Sequence, residues 1–219
     1  MQRVSNPEVI LIREDGASMK KIIAGLIMAV GLAGVAQAQG DPEAGKSLAA
    51  TCGACHGQSG ASPVAPSYPK IAGIGEKYIL KQLQDIKAGR RVVPEMTGIL
   101  QPLSEQDLAD LAAFYQTQEM TLEQADPELI EMGRALYRGG NMASGVTACS
   151  ACHGPAGQGI ASAAFPQVGG QKAAYLAKQL NDWQAGKRDN DPNAMMQDIA
   201  SKLTDAEIEA ISSYMSGLH

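Results

Sequence analysis

Apolar residues recur at three-to-four spacing in two late stretches of the chain, Leu108, Leu111 and Tyr115 in one and Ile208, Ile211 and Met215 in the other. That period marks one face of a helix. Each stripe follows a capping-box pattern, Ser104-Glu105-Gln106-Asp107 and Thr204-Asp205-Ala206-Glu207, the first with Asp in place of the preferred Glu. A middle helix is predicted over 77–88, with Tyr78, Ile79, Leu83 and Ile86 inward, and again over 174–185, with Tyr175, Leu176, Leu180 and Trp183 inward. Asp41-Pro42 and Asp126-Pro127 each offer an N-cap followed by proline at the first helical position. No stretch alternates with the period of a strand. The pattern predicts an all-α protein with long loops rich in Gly and Pro.

These matched helices belong to a longer repeat. Sliding the sequence by 97 positions lays Cys52-Gly53-Ala54-Cys55-His56-Gly57 on Cys149-Ser150-Ala151-Cys152-His153-Gly154. Pro69, Gly73, Tyr78 and Lys81-Gln82-Leu83 fall on Pro166, Gly170, Tyr175 and Lys178-Gln179-Leu180. Positions 52–89 hold 15 identities in 38, where ordinary composition gives about two or three. The period is too long for a solenoid unit, so each copy is expected to be a domain with its own core. The expected organisation is a first domain over 39–120, a linker over 121–126 within the polar run that ends at Pro127, and a second domain over 127–219.

The chain start reads as an export signal. Lys20-Lys21, the apolar run 22–35 and Ala36-Gln37-Ala38 supply a basic start, a hydrophobic middle and an A-x-A exit. The signal spans about 19–38, with cleavage expected after Ala38, and residues 1–18 ahead of Met19 read as an upstream extension. The alternative is an uncleaved anchor, but the run is shorter than the ~20 apolar residues a membrane span needs. A periplasmic location follows.

Composition sharpens the picture in two ways. Hydrophobic residues make up 45% of the 219, yet only two Phe, six Tyr and one Trp are present. Aromatic rings are the largest core fillers, so something other than side chains is expected inside these small domains. The net charge of −5 and pI near 5.2 exclude a general nucleic-acid binder, which needs clustered Lys and Arg. Beyond residue 38 the charge divides evenly, seven Lys and Arg against ten Asp and Glu in each of 39–124 and 125–219, so neither half is a basic docking pole.

All four cysteines sit in C-x-x-C-H motifs, the attachment signature of c-type haem. Two intervening residues bring both thiols to one porphyrin edge, where they add to the vinyl groups, and the next side chain supplies an axial nitrogen. A four-thiolate zinc site, a redox dithiol or exported disulfides are the rival readings; none explains a His after each pair. Two haem c groups, one held by Cys52, Cys55 and His56 and one by Cys149, Cys152 and His153, are therefore expected. They also account for the missing aromatics.

The sixth ligand decides between electron transfer and chemistry on a bound molecule. His219 is the only spare imidazole, so bis-His ligation at both irons is impossible. Seven Met lie beyond residue 38, and core packing is the ordinary role of any one. The repeat selects two, because Met96 stands seven residues before Leu103 and Met196 seven before Leu203. Met195 is the rival in the second copy.

The two C-x-x-C-H motifs, Pro69 to Gly73 and Pro166 to Gly170, the Tyr-to-Gly helices and Glu95-Met96-Thr97-Gly98 together resemble the two-haem class I cytochromes of the cytochrome c4 family. The likeness covers nearly all of 39–219, and the 190–196 loop with its adjacent methionines departs from it. The resemblance implies a periplasmic electron carrier of two tandem cytochrome c folds related by an approximate two-fold, His/Met ligation at both irons, and membrane-bound respiratory partners. A saturated iron leaves no site for peroxide or oxygen, so an electron carrier, not an enzyme, is expected. It would run transiently between a quinol-oxidising complex and a terminal oxidase. The second reading is the electron-accepting subunit of a dehydrogenase such as the flavin sulfide dehydrogenases, and a two-haem peroxidase is the third. Lys81, Gln82, Lys178 and Gln179 are candidates for propionate bonding, for the domain interface, or for a solvated helix face. Tyr78, Tyr175 and Trp183 are expected in the haem-packing core, and His219 in solvent.

Overall fold

The computed structural model describes residues 40–219, so the predicted export segment lies outside the described residues. The first copy contributes α1 (Pro42–Leu48), α2 (Ala50–His56), α3 (Glu76–Lys87), α4 (Pro94–Leu100) and α5 (Glu105–Gln116). The second contributes α6 (Ile130–Gly139), α7 (Ser150–His153), α8 (Ala173–Gln184), α9 (Met195–Ala200) and α10 (Asp205–Ser216), with short 3-10 turns at Ala161–Ala163 and Pro192–Ala194. Extended pairing among the described residues is confined to two isolated bridges, Asn141 with Val146 and Ile160 with Phe165. The middle helices begin and end one residue before the limits that periodicity predicts. Both capping boxes are formed: Ser104 and Asp107, and Thr204 and Glu207, exchange side-chain and backbone hydrogen bonds at the starts of α5 and α10.

In each copy the first helix crosses the last, and a glycine makes the crossing possible. A Cβ on Gly45 would stand 2.0 Å from the carbonyl oxygen of Asp110, and one on Gly133 would stand 2.4 Å from that of Ala210. The two backbones touch where any side chain would hold them apart. Asp41 starts α1 as its sequence suggests, with its carboxylate accepting from the Glu43 and Ala44 amides.

Asp126-Pro127 behaves differently. The Asp126 carboxylate accepts from the Glu128 amide at 2.9 Å, and its carbonyl accepts from the Leu129 amide at 3.0 Å. Its own amide donates to Ser213 Oγ at 2.8 Å. These bonds close a single turn docked on α10, and α6 starts only at Ile130. Asp126 thus caps an isolated turn and not the helix start that Asp126-Pro127 predicts, because Leu129 is the residue that precedes α6 and the Asp126 amide is engaged by Ser213.

Leu111, Phe114 and Tyr115 of α5 pack with Ile74 and Ile79 in the first copy. Ile208, Ile211 and Met215 of α10 pack with Leu136, Tyr137, Leu176 and Leu180 in the second. Each core is thus a few helices folded around one side of a cavity.

Candidate functional site

The first cavity, about 330 Å³, is walled by Cys52, Cys55, His56 and Met96 together with apolar side chains such as Ile79 and Leu83. Its volume lies within the range of about 300–1,000 Å³ typical of cofactor and ligand pockets. Both cysteines and the histidine issue from α2. That helix stops at Gly57, whose φ of 80° is open to glycine and whose Cβ would meet the Ser62 carbonyl oxygen at 2.8 Å. His56 Nδ1 lies 2.8 Å from the Pro69 carbonyl oxygen. A carbonyl can only accept, so Nδ1 carries the proton and Nε2 keeps its lone pair, the orienting arrangement usual for a metal-binding imidazole. Burial pushes the His56 pKa down, which keeps the ring neutral and able to ligate.

The second cavity, about 310 Å³, repeats the construction with Cys149, Cys152 and His153, and both Met195 and Met196 line it. His153 Nδ1 lies 2.9 Å from the Pro166 carbonyl oxygen, and burial again lowers the ring's pKa. The two methionines differ in their surroundings. Met196 packs against the core of its domain, whereas Met195 is 37% exposed.

The helices that carry the methionines start by different devices. In the first copy Pro94 opens α4, and the Met96 amide donates to the Val93 carbonyl at 3.0 Å. In the second, three additional residues are taken up by the Pro192–Ala194 turn, where Asn193 and Ala194 are left-handed at φ 56° and 54°. Asp191 ties this loop to α9: its carboxylate accepts from the Met196 amide at 2.7 Å, the Gln197 amide at 3.2 Å and Gln197 Nε2 at 2.9 Å.

Between the cavities lies a reciprocal network. Arg91 donates to Gln82 of its own domain at 2.9 Å, and to Tyr175 and Gln179 of the other at 3.0 and 2.8 Å. Arg188 donates to Gln179 of its own domain at 2.7 Å, and to Tyr78 and Gln82 of the other at 3.1 Å each. The Arg188 guanidinium also lies 4.1 Å from the Trp183 ring centroid. Neither arginine forms an ion pair with a carboxylate among the described residues, although Arg188 is only 5% exposed. Buried cations ordinarily need a counter-charge. Trp183 Nε1 is likewise buried with no acceptor among the described residues. Unpaired guanidiniums and an orphaned indole N–H beside apolar cavities that carry paired thiols and a neutral imidazole suit a haem, whose propionates would supply both anion and acceptor.

The family model described as Cytochrome c matches residues 42–119 and again 131–219. Cytochrome c4 of Pseudomonas aeruginosa is 54% identical over 202 residues, 92% of this chain and the whole of that protein. The chain belongs to the cytochrome c4 family. The crystal structure of reduced recombinant cytochrome c4 from Pseudomonas stutzeri superposes with a TM-score of 0.80 at 51% identity, covering 82% of this chain and all of that one. A thiosulfate dehydrogenase electron acceptor from Stutzerimonas stutzeri is 37% identical over 180 residues, 78% of this chain and 80% of that protein. Membership makes the chain an electron-transfer protein with two haem c groups in two cytochrome c domains.

Of the polar residues that the repeat singles out, Gln82 and Gln179 are buried in the seam. Lys81 pairs with Asp85 and reaches the Asn190 carbonyl across it at 2.6 Å. Lys178 instead pairs with Asp182 on an exposed face. Tyr78 and Tyr175 line the cavities and also bridge the domains, and His219 is exposed. The two arginines were not among the candidates read from sequence, although they too stand 97 positions apart, just beyond the strongest stretch of the repeat.

Proposed function

We propose that this chain is a periplasmic one-electron carrier with two haems, taking electrons from a quinol-oxidising complex and passing them toward a terminal oxidase. Cys52 and Cys55 attach one haem, and Cys149 and Cys152 the other. His56 and Met96 are the axial ligands in the first domain, His153 and Met196 in the second. The carrying observation is that each cavity wall presents two thiols and a neutral imidazole with its Nδ1 committed to a proline carbonyl, together with a thioether. Met196 is favoured over Met195 because it is half-buried and its amide is anchored by Asp191.

When bound, haem c supplies the ferric–ferrous couple, and His/Met ligation raises its potential. The protein's part is placement. Pro69 and Pro166 hold the imidazoles in one tautomer, Asp191 holds the Met196 helix, and Arg91, Arg188 and Trp183 would receive the propionates. A His and a Met on each iron would leave no open position for a substrate. Electron transfer with little rearrangement is what such a site can do.

The proposed boundaries are the domains at 39–120 and 127–219, joined by 121–126, after signal cleavage near Ala38. A spectroelectrochemical titration of the purified protein tests the ligand set. Two haems per chain, each with the far-red Met–iron charge-transfer band, are expected, and a haem that lacks the band would remove its methionine from the assignment. The relative named as a thiosulfate dehydrogenase electron acceptor favours the second reading, in which the chain is the electron-accepting partner of a dehydrogenase. Co-purification with such an enzyme, set against reduction by membranes and quinol, separates the two.

A further inference from the structure

Lys70 has no side-chain exposure to speak of, at 0% for the residue, and it lies where the first domain, the linker and the second domain meet. Its ammonium makes three contacts, with the Thr121 carbonyl at 2.6 Å, the Gly170 carbonyl at 2.9 Å and Glu123 Oε1 at 2.7 Å. An ammonium has three protons, so each is used. Glu123 Oε1 also receives Lys172 at 2.7 Å, so a single linker carboxylate joins one lysine from each domain. The backbone of Lys70 is held as well. Its amide donates to Gln171 Oε1 at 2.8 Å and its carbonyl accepts from Gln171 Nε2 at 2.7 Å.

The placement of this cluster gives it consequence. Lys70 directly follows Pro69, whose carbonyl orients His56, and Gly170 and Gln171 stand a few residues after Pro166, whose carbonyl orients His153. The cluster therefore binds to each other the two loops that hold the two imidazoles. It is also asymmetric, because the repeat puts Gln167 where Lys70 would recur. Both domains contribute equally to the seam of arginines and tyrosines, whereas this lysine comes from the first domain alone.

We propose that Lys70, with Glu123 and Gln171, is a positioning residue that locks the two haem domains in a single relative placement and thereby sets the rate of electron transfer between the haems. The inference rests on two bound haems. Tunnelling falls steeply with distance and orientation, so an open arrangement of the domains contributes little to the observed rate.

The test compares the full-length holoprotein with Lys70→Met, Glu123→Gln and, as a control on an exposed pair, Lys202→Met. Flash reduction followed by re-equilibration gives the interhaem rate, while the Met–iron bands and the two potentials report each haem by itself. If the docked form drops to about a tenth of the population, the interhaem rate falls about tenfold, since an observed constant scales with its competent fraction. The expected result is that fall in Lys70→Met and Glu123→Gln with both bands kept, and a parental rate in Lys202→Met. An unchanged rate in Glu123→Gln, or a slowing that appears only with loss of a Met–iron band, overturns the proposal. Should Lys70→Met fail to fold, Glu123→Gln decides alone, because it keeps the side chain's size and removes only the bridging charge. Absence of one haem from the parent would instead break the two-haem reading itself.

Discussion

Arg91 donates to the Tyr175 hydroxyl at 3.0 Å across the domain seam, and Arg188, 97 positions later, donates back to Tyr78 at 3.1 Å. Gln82 and Gln179 each accept from both guanidiniums. A buried and a half-buried positive charge, Arg188 and Arg91, thereby lie beside two haem sites with neutral oxygens as their only hydrogen-bond partners among the described residues. Burial works against ionising Tyr78, yet Arg188, Arg91 and Lys81 together hold its pKa below the usual phenol value, a sign of how positive the seam is. Removing Arg188 should let the ferric state, the more positive one, gain stability. Arg188→Leu is expected to lower at least one reduction potential by tens of millivolts, where about 59 mV is a tenfold change for a one-electron couple. Unchanged potentials in a spectroelectrochemical titration would remove the arginine from the electrostatics of the haems.

Met96→Ala should abolish the Met–iron band of one haem and open that iron to carbon monoxide. Met196→Ala should do the same to the other. Met195→Ala should leave both bands in place, because its side chain is 37% exposed and its amide is not held by Asp191. The reverse result for the adjacent pair would transfer the assignment to Met195.

Asp191 replaces, in the second domain, the start that Pro94 gives α4 in the first. Hydrogen bonds to a charged group contribute about 1.5–3 kcal/mol each, and two left-handed residues, Asn193 and Ala194, have to be held in that loop. Asp191→Ala is expected to weaken the Met196–iron bond selectively. On heating, the Met–iron band of the second haem should disappear well before that of the first, whereas simultaneous loss would show that Asp191 serves general stability alone.

How much of this was legible in the chain depends on the range of each interaction. The C-x-x-C-H motifs, the capping boxes and the α3 and α8 stripes are local, and the sequence places them to within a residue. The repeat selects Met96 and Met196, and both line their cavities. Asp126 illustrates the limit: the Asp-Pro pair predicts a helix start, but it closes only a turn, and its amide bonds Ser213 at a separation of 87 residues that no local pattern reveals. Lys70 and the two arginines escape for the same reason, since nothing adjacent marks a buried cation whose partners come from another domain. Gly45 and Gly133 carry the helix crossings and look in sequence like ordinary, mildly unfavourable helix residues.

Those crossings give a direct stability test. A methyl on Gly45 would sit 2.0 Å from the Asp110 carbonyl oxygen, closer than any relaxation of side chains alone can relieve. Gly45→Ala should therefore destabilise the first domain by about 1–3 kcal/mol or more through overpacking, and Gly133→Ala the second. Gly139, at the end of α6, has nothing within 4 Å of its would-be Cβ. Gly139→Ala is expected to be neutral or to stabilise by about 0.4–1 kcal/mol. Urea unfolding of the three variants decides, and equal effects would contradict the crossing geometry.

The seam should loosen in acid. Burial acts to raise the pKa of Asp85, but hydrogen bonds from Lys81, Asn190 and Arg90 overcome it and hold the carboxyl below its ordinary value. Glu123 is lowered in the same way, with Lys172 and Lys70 outweighing burial. A depressed folded-state pKa means that the stabilisation is complete above the unfolded values of about 3.9 for Asp and 4.3 for Glu. It is lost as pH falls through the lower folded values. Domain coupling should accordingly be constant from neutral pH down to about 5 and fail only below about 4, with Glu123→Gln showing a smaller loss over that interval. Denaturant unfolding followed at each haem's Met–iron band should show one shared transition at neutral pH and two separate ones in acid. Two transitions already at pH 7 would mean that these carboxylates do not hold the domains together.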